Sequence, residues 1–222
     1  LLGHPAGDLL EYVQGLGEVW SAQLLAARLR AEGEAVDWLD ARAVLVISPS
    51  ALGAVVDWAE SGRRLAAWRA GHTAPRVVVT GFVARDTDGR ITTLGRNGSD
   101  YSGAIFARLF AAAELHIWTD VDGVLSADPR LVPEAILLPR MSYDEAFELA
   151  YFGAKVVHPR TMGPVLEAGI PVWVRNTFNP DCPGTRIGPE HEDGAGPVKG
   201  LTIAREMALV EVEGTGMIGV PG

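Results

Sequence analysis

The sequence lacks features that mark several large classes of protein. Cys182 is its one cysteine, which excludes an internal disulfide bond and a cysteine zinc site and fits a reducing compartment such as the cytoplasm. Basic residues are outnumbered, with 19 Lys and Arg against 28 Asp and Glu, and the net charge of −9 argues against nucleic-acid binding. No apolar run approaches the roughly 20 residues that span a bilayer, and no charged-then-apolar leader is visible. We therefore expect a cytoplasmic protein that contacts neither nucleic acid nor membrane.

Familiar catalytic motifs are missing as well. The sequence contains neither G-x-x-x-x-G-K-[ST] nor G-x-G-x-x-G, and it has no G-x-S-x-G elbow of a serine hydrolase. No second His or Cys stands at zinc-ligand spacing. Asp120, Asp122 and Asp128 lack the glutamate and the 12-residue order of an EF-hand. We therefore assign no metal ligand.

The sequence is rich in residues that build a globular fold with tight turns. Hydrophobic residues make up 48%, and there are 26 Gly and 14 Pro. Apolar patterns predict strands and helices in alternation, which is typical of an α/β fold with a mostly parallel sheet. The predicted strands are 43–47, 76–83, 91–94, 115–118 and 170–174, and the predicted helices are 51–70, 99 or 102 to 113, 142–151 and 159–168.

Two helices carry more specific signals. Trp20, Leu24, Ala27 and Ala31 form one stripe of a helix that closes near Gly33. Ser142 and Glu145 form a capping-box pattern at the start of another helix. Between two predicted strands, residues 86–90 form a turn.

The composition changes near the end of the chain. Residues 188–197 are polar and rich in Gly and Pro, as in a linker. We expect one domain over residues 1–187 and a second unit over 198–222, opening with a strand at 207–212. Because the chain starts without Met and stops in Gly-Val-Pro-Gly, we expect a piece of something longer.

The segment 92–102, TTLGRNGSDYS, is the richest in candidate functional groups. It precedes a predicted helix, whose N-terminal N–H groups and dipole favour an anionic ligand. Arg96 offers a cation for a carboxylate or phosphate, and Asp100 offers a carboxylate for an ammonium group. The alternative is an ordinary helix cap at Ser99 or Ser102 behind a glycine-rich turn.

Two further segments carry candidates. Thr119 and Asp120 follow a predicted strand directly, where ligands bind in open α/β sheets, although acidic turn residues also occur there without function. Lys155 stands at a Gly-containing break between two helical patterns, where an ammonium group can reach a phosphate. A solvated surface lysine is the alternative, and His158 before Pro159 fits a helix start better than catalysis.

Together these segments resemble aspartate kinase, of the amino-acid kinase superfamily. The matching motifs are LGRNGSDYS at 94–102, WTDV at 118–121, DPR at 128–130 and FGAKVVHP at 152–159. The resemblance implies a three-layer α/β/α sandwich over residues 1–187 that lacks its N-terminal part. It also implies that residues 198–222 begin an ACT-type α+β regulatory domain.

The resemblance implies transfer of the ATP γ-phosphoryl group to the β-carboxylate of L-aspartate, on the path to lysine, threonine and methionine. By resemblance, four residues bind aspartate, the first two of them as catalytic candidates: Arg96, Asp100, Ser99 and Glu18. Four others match nucleotide-binding positions: Thr119, Asp120, Arg130 and Lys155. A Mg²⁺ ion is expected on the ATP phosphates.

The family also suggests regulation and assembly. ACT regions of aspartate kinases bind feedback amino acids such as lysine or threonine and pair with one another, so we expect a homodimer or a higher homo-oligomer. The family further includes fusions with homoserine dehydrogenase or diaminopimelate decarboxylase.

The sequence departs from the family pattern in three places. The K-F-G-G-[ST] motif, whose lysine stabilises the transferred phosphoryl group, is not among these residues, so we expect the 222 residues alone to transfer little phosphate. Leu16 replaces the usual arginine before Gly-Glu, and Leu125 replaces a frequent tyrosine. The alternatives are a glutamate or acetylglutamate kinase, and a non-catalytic regulatory fragment.

Overall fold

The computed structural model describes residues 6–48, 50, 53–151, 159–190 and 198–203. Lys155, His158, most of the expected linker and the strand expected at 207–212 lie outside these ranges. The helices are α1 (Ala6–Ala31), α2 (Ala41–Val44), α3 (Trp58–Ala70), α4 (Gly98–Leu109), α5 (Tyr143–Tyr151) and α6 (Pro159–Ala168). The strands are β1 (Val36–Leu39), β2 (Val46–Ser48), β3 (Val55–Val56), β4 (Arg76–Val79), β5 (Val83–Asp86), β6 (Ile91–Thr93), β7 (Leu115–Thr119), β8 (Arg140–Ser142), β9 (Val172–Asn176) and β10 (Thr185–Gly188).

Within the described residues the strands form three sheets. One joins β1 and β4 in parallel, one has the order β3-β2-β5-β6, and one has the order β7-β9-β10-β8. Four of the strand pairings are parallel (β1–β4, β2–β5, β7–β9 and β8–β10) and three are antiparallel. The predicted α/β class with mostly parallel strands is confirmed.

Helix α4 lies between two hydrophobic cores and contributes to both. Its Ala104 and Ala107 belong to the core formed by α5, α6 and the sheet of β7 to β10. Its Ile105 and Phe106 belong to the core of α2, α3, β2 and β5. A helix that is apolar on two sides is held firmly, because both sides are removed from water.

The first helix is present as predicted, but a different side of it is buried. Val19, Ala22 and Ala26 face the protein interior. Trp20 and Leu24, from the stripe seen in the sequence, are 59% and 71% exposed. The periodicity therefore identified the helix without identifying the side that packs on the strands.

Three element boundaries differ from the prediction. Residues 43 and 44 of the expected strand 43–47 belong instead to the helical turn α2, and strand β2 begins only at Val46. The helix expected from residue 51 begins at Trp58, after Asp57 caps it by accepting from the Glu60 N–H at 2.9 Å. The strand expected over 76–83 is interrupted at residues 80–82.

Other local signals are confirmed. The Ser142 hydroxyl accepts from the Glu145 N–H at 3.1 Å and the Glu145 carboxylate accepts from the Ser142 N–H at 2.8 Å, which is the reciprocal capping box. Helix α6 stops at Gly169, whose φ of +66° suits glycine. The turn at 86–90 joins the antiparallel strands β5 and β6. None of the helices in the described ranges is both long and apolar enough to cross a bilayer.

Candidate functional site

The first part of the candidate site is the interruption between β4 and β5, called here the Gly81 turn (Thr80–Phe82). Thr80 is fully buried and donates its N–H to the Leu39 carbonyl of the neighbouring parallel strand at 3.0 Å. Its hydroxyl accepts from the Trp38 indole at 3.3 Å. These bonds fix the point where the chain leaves the carboxyl end of β4.

Gly81 lies close to atoms of three other residues. A Cβ placed on Gly81 would lie 3.2 Å from Ser102 Oγ, 3.8 Å from Glu18 Oε2 and 4.0 Å from Ser99 Cα. Glu18 comes from α1, whereas Ser99 and Ser102 come from the first turns of α4. The fold therefore brings the predicted Glu18 and Ser99 to one place, although they are far apart in sequence.

Helix α4 begins beside the Gly81 turn, and the predicted cap residues are wrong. The residue before the helix is Asn97, which has a left-handed φ of +56° and makes no side-chain capping bond. Ser99 and Ser102 both lie inside the helix. Arg96 is exposed just before it, and Asp100 is half-buried in its first turn.

The second part of the site is the carboxyl end of β7. The strand ends at Thr119, which pairs with Asn176 at the end of the parallel strand β9. The Thr119 hydroxyl donates to the carboxylate of the exposed Asp120 at 3.2 Å, and the Thr119 carbonyl accepts from the Thr177 N–H at 2.9 Å. The prediction that Asp120 directly follows a parallel strand is confirmed, whereas Thr119 is the last residue of that strand.

Asp122 anchors the loop that follows. Its Oδ1 accepts from the side-chain amides of Asn176 at 2.7 Å and Asn179 at 3.1 Å. In the sequence, Asp122 suggested only a calcium ligand, and neither asparagine was predicted as its partner. The signal was available, because carboxyl ends of parallel strands meet at one edge and Asn176 ends such a strand.

Arg130 is held by Asp128, two residues earlier in the chain. Its Nε and Nη2 donate to the two carboxylate oxygens of Asp128 at 3.0 and 2.7 Å. This pairing raises the pKa of Arg130, which keeps the guanidinium charged. The side chain is 84% exposed, so the cation faces solvent while it is paired.

Lys155, the other predicted cation, lies outside the described residues. Among the residues that are described, no group of three or more His, Cys, Asp or Glu side chains is arranged to hold a metal ion.

Helix α4 packs against the Gly81 turn and against the amino end of β7. Its N-terminal end adjoins the Gly81 turn, and a Cβ on its Gly103 would lie 3.7 Å from the Leu115 side chain at the start of β7. The helix has 12 residues, so it is about 18 Å long at 1.5 Å per residue. The Gly81 turn follows the carboxyl end of β4, and Asp120 follows the carboxyl end of β7. Open α/β sheets bind ligands at such strand ends.

Known proteins resemble this chain along its whole length. A model of the amino acid kinase family matches residues 5–176. The chloroplastic bifunctional aspartokinase/homoserine dehydrogenase 1 of Arabidopsis thaliana is 48% identical over all of this chain, which covers 25% of that protein. The chain thus spans about a quarter of the length of the curated relatives it matches.

Solved structures agree with the sequence matches. Aspartokinase III of E. coli in complex with aspartate and ADP superimposes with a TM-score of 0.78 at 33% identity, over 86% of this chain and 43% of that one. The same enzyme in complex with lysine and aspartate gives a TM-score of 0.76 over the same shares of the two chains.

Proposed function

The chain belongs to the amino acid kinase family, and from this membership we propose that it is part of an aspartate kinase. The reaction is transfer of the ATP γ-phosphoryl group to the β-carboxylate of L-aspartate. Support comes from the Arabidopsis thaliana relative, named an aspartokinase/homoserine dehydrogenase, and from the E. coli aspartokinase III that was solved with aspartate and ADP.

The observation that carries this proposal is the meeting of Glu18 and Ser99 at Gly81. A carboxylate is the group that pairs with a substrate ammonium, and a helix start favours a substrate carboxylate. Glu18 supplies the first and the beginning of α4 supplies the second, with the Arg96 cation just before it. Asp100, in the same turn of α4, is the second acidic group that we assign to the aspartate site.

The nucleotide belongs at the carboxyl end of β7. We assign Thr119, Asp120, Arg130 and Lys155 to it. Arg130 is charged and exposed but paired with Asp128, so it reaches a phosphate by sharing or leaving that carboxylate. Asp122 and its two asparagine partners keep this loop in place.

Phosphoryl transfer depends mainly on positioning the reactants and neutralising phosphate oxygens, with little covalent chemistry by the protein. The cations and helix-start N–H groups of the two parts of the site suit that task. A Mg²⁺ ion on ATP takes most of its ligands from phosphate and water, so the proposal requires no cluster of protein carboxylates.

The remaining assignments follow from the same family. We propose that residues 1–187 form the kinase part and 198–222 begin an ACT regulatory domain that binds lysine or threonine. The structure of E. coli aspartokinase III with lysine supports feedback by such an amino acid, and the relatives' names support a fusion with homoserine dehydrogenase. A homo-oligomer remains part of the proposal, and so does a location in the cytoplasm, whereas the Arabidopsis thaliana relative is named chloroplastic.

The proposal is tested by measuring ADP formation with a panel of acceptors in the whole protein that contains this chain. L-Aspartate is expected to exceed L-glutamate in kcat/KM by about tenfold or more, since one methylene is worth that much in a fitted site. A preference for glutamate or N-acetylglutamate would favour another amino acid kinase. Binding of lysine or threonine without ADP formation from any acceptor would favour a regulatory fragment.

Glu18→Gln tests the substrate site directly. Loss of the charge-assisted contact is expected to raise the KM for aspartate by about tenfold or more, while the KM for ATP stays within about twofold. Glu148→Gln, at an exposed position on α5, is the matched control and is expected to change neither constant. Equal increases in both constants for Glu18→Gln would remove Glu18 from the aspartate site.

A further inference from the structure

The Gly81 turn has a strained backbone conformation that needs contacts from neighbouring residues. The Val83 N–H donates to the Gly81 carbonyl at 2.7 Å, which closes a three-residue turn around Phe82. Phe82 has a φ of +67°, and turns of this kind are rare and strained for a residue with a side chain. Such a conformation persists only where surrounding contacts hold it.

Ser102 provides one of those contacts. Its hydroxyl oxygen accepts the Phe82 N–H at 3.2 Å and donates its own hydrogen to the Ser99 carbonyl at 2.7 Å. The residue is 3% exposed, so water does not compete effectively for these bonds. One hydroxyl thus ties the strained turn to the first turn of α4.

The same hydroxyl lies close to the groups that we assign to aspartate. It is 3.2 Å from the position of a Cβ on Gly81, and Glu18 Oε2 is 3.8 Å from that position. The Ser99 carbonyl that it contacts belongs to a residue of the proposed site. If the turn relaxes, Gly81 moves relative to both Glu18 and Ser99.

A second buried serine, Ser61, provides a control for substitutions at Ser102. Ser61 is fully buried on α3, where its hydroxyl accepts from the Val46 N–H at 3.0 Å. It therefore accepts a backbone N–H as Ser102 does, but the N–H belongs to strand β2 and not to the Gly81 turn. A purely structural role of Ser102 predicts that the two serines behave alike.

We infer that Ser102 is a positioning residue for the aspartate site: it sets the distance between Glu18 and the start of α4 by holding Phe82 in its strained conformation. It does not contact the substrate in this role. The inference rests on the proposed function, because the site that Ser102 positions is the one assigned to aspartate.

The test compares Ser102→Ala, Ser102→Thr and Ser61→Ala in the whole protein that contains this chain. For Ser102→Ala the KM for aspartate is expected to rise by about tenfold, as the loss of one net hydrogen bond would give, and the KM for ATP to stay within about twofold. Ser102→Thr keeps the hydroxyl and is expected to restore most of the aspartate affinity. Ser61→Ala is expected to lower the thermal midpoint without changing either constant.

The outcomes separate the inference from the proposed function. If the unaltered protein does not phosphorylate aspartate, the proposed function fails. If it does, and Ser102→Ala resembles Ser61→Ala in both constants, the positioning role is wrong. If Ser102→Ala folds poorly, Ser102→Thr and Ser102→Cys are used in its place. The thiol of the cysteine variant is only a weak hydrogen-bond donor. If the cysteine variant has the same KM for aspartate as the unaltered protein, the inference is wrong.

Discussion

Gly98 is the residue against which the Phe82 ring rests. A Cβ at this position would lie 2.6 Å from Phe82 Cδ2 and 3.1 Å from Leu94 Cβ. Phe82 is held from two sides, by this contact on its ring and by Ser102 on its N–H. The start of α4 and the Gly81 turn therefore fit only if residue 98 has no side chain.

Gly98→Ala is expected to destabilise the protein by about 1–3 kcal/mol, because the added methyl group must displace Phe82 or Leu94. The free energy of unfolding in urea measures this. Gly62→Ala is the control, since a Cβ on this other helical glycine meets nothing within 4 Å. Alanine there is expected to stabilise α3 by about 0.5–1 kcal/mol, and equal effects of the two substitutions would contradict the fit described for Gly98.

The contacts of single residues could be predicted where the partner is close in sequence, and could not be predicted where the partner is distant in sequence. Ser142 and Glu145 satisfy each other three positions apart, so their pattern could be recognised in the sequence. Ser102 looked like a helix cap because serine favours that position. Its hydroxyl instead accepts from the N–H of Phe82, 20 residues earlier in the chain. Local sequence preferences do not predict such a contact.

Among the elements, α1 illustrates the limit of periodicity. A helix with apolar residues on more than one side gives the same spacing signal for each side. Trp20 and Leu24 are larger than Ala22 and Ala26, yet the small residues pack against the strands and the large ones face outward. Small side chains on the packed side allow a close approach, as at Gly15, where a Cβ would lie 2.6 Å from Val83 Cγ1.

Neighbouring alanines on α1 test this orientation. Ala26 is fully buried and Ala27 is exposed. Ala26→Leu is expected to cost about 1–3 kcal/mol by overpacking, and Ala27→Leu to change the free energy of unfolding by no more than about 0.5 kcal/mol. Urea unfolding of both variants, monitored by circular dichroism, gives the comparison, and a larger cost at residue 27 would reverse the orientation of the helix.

The whole molecule is organised around α4. The α/β class could be predicted, because it follows from alternating patterns along the chain, but strands β1, β3, β8 and β10 were not among the predicted ones. The Gly81 turn and the Asp122 anchor could not be predicted, since each depends on elements that meet only after folding. The resemblance to aspartate kinase supplied candidate residues, and the fold then placed Glu18 beside Ser99.

The contacts that attach the segment 198–203 to the rest of the described protein include an ion pair and a backbone hydrogen bond. The Lys199 ammonium lies 3.0 Å from Glu145 Oε1, with the two side chains only 15% and 31% exposed. The Leu201 N–H donates to the Ser126 carbonyl at 2.8 Å, within the loop that leads from Asp120 to Arg130. The beginning of the proposed regulatory region therefore contacts the loop that we assign to the nucleotide.

Lys199→Met is expected to loosen this attachment. Hydrogen exchange at the Leu201 amide should become about tenfold faster, as loss of an ion pair worth about 1.4 kcal/mol would give. Arg28→Met removes a cation from the more exposed pair with Glu32 and is expected to leave the Leu201 exchange rate unchanged. An unchanged rate in Lys199→Met would show that the segment is held by other contacts.

Lysine is scarce in this sequence: the two are Lys155 and Lys199. A reagent that acylates amines therefore has few targets within these 222 residues, and Lys199 is shielded by Glu145 when its segment is attached. The extent of acylation at this one side chain, followed by mass spectrometry, becomes a direct footprint of attachment. Labelling of the whole protein with lysine or threonine present, compared with a non-effector amino acid at the same amine concentration, would then reveal whether an effector detaches the segment beside the nucleotide loop.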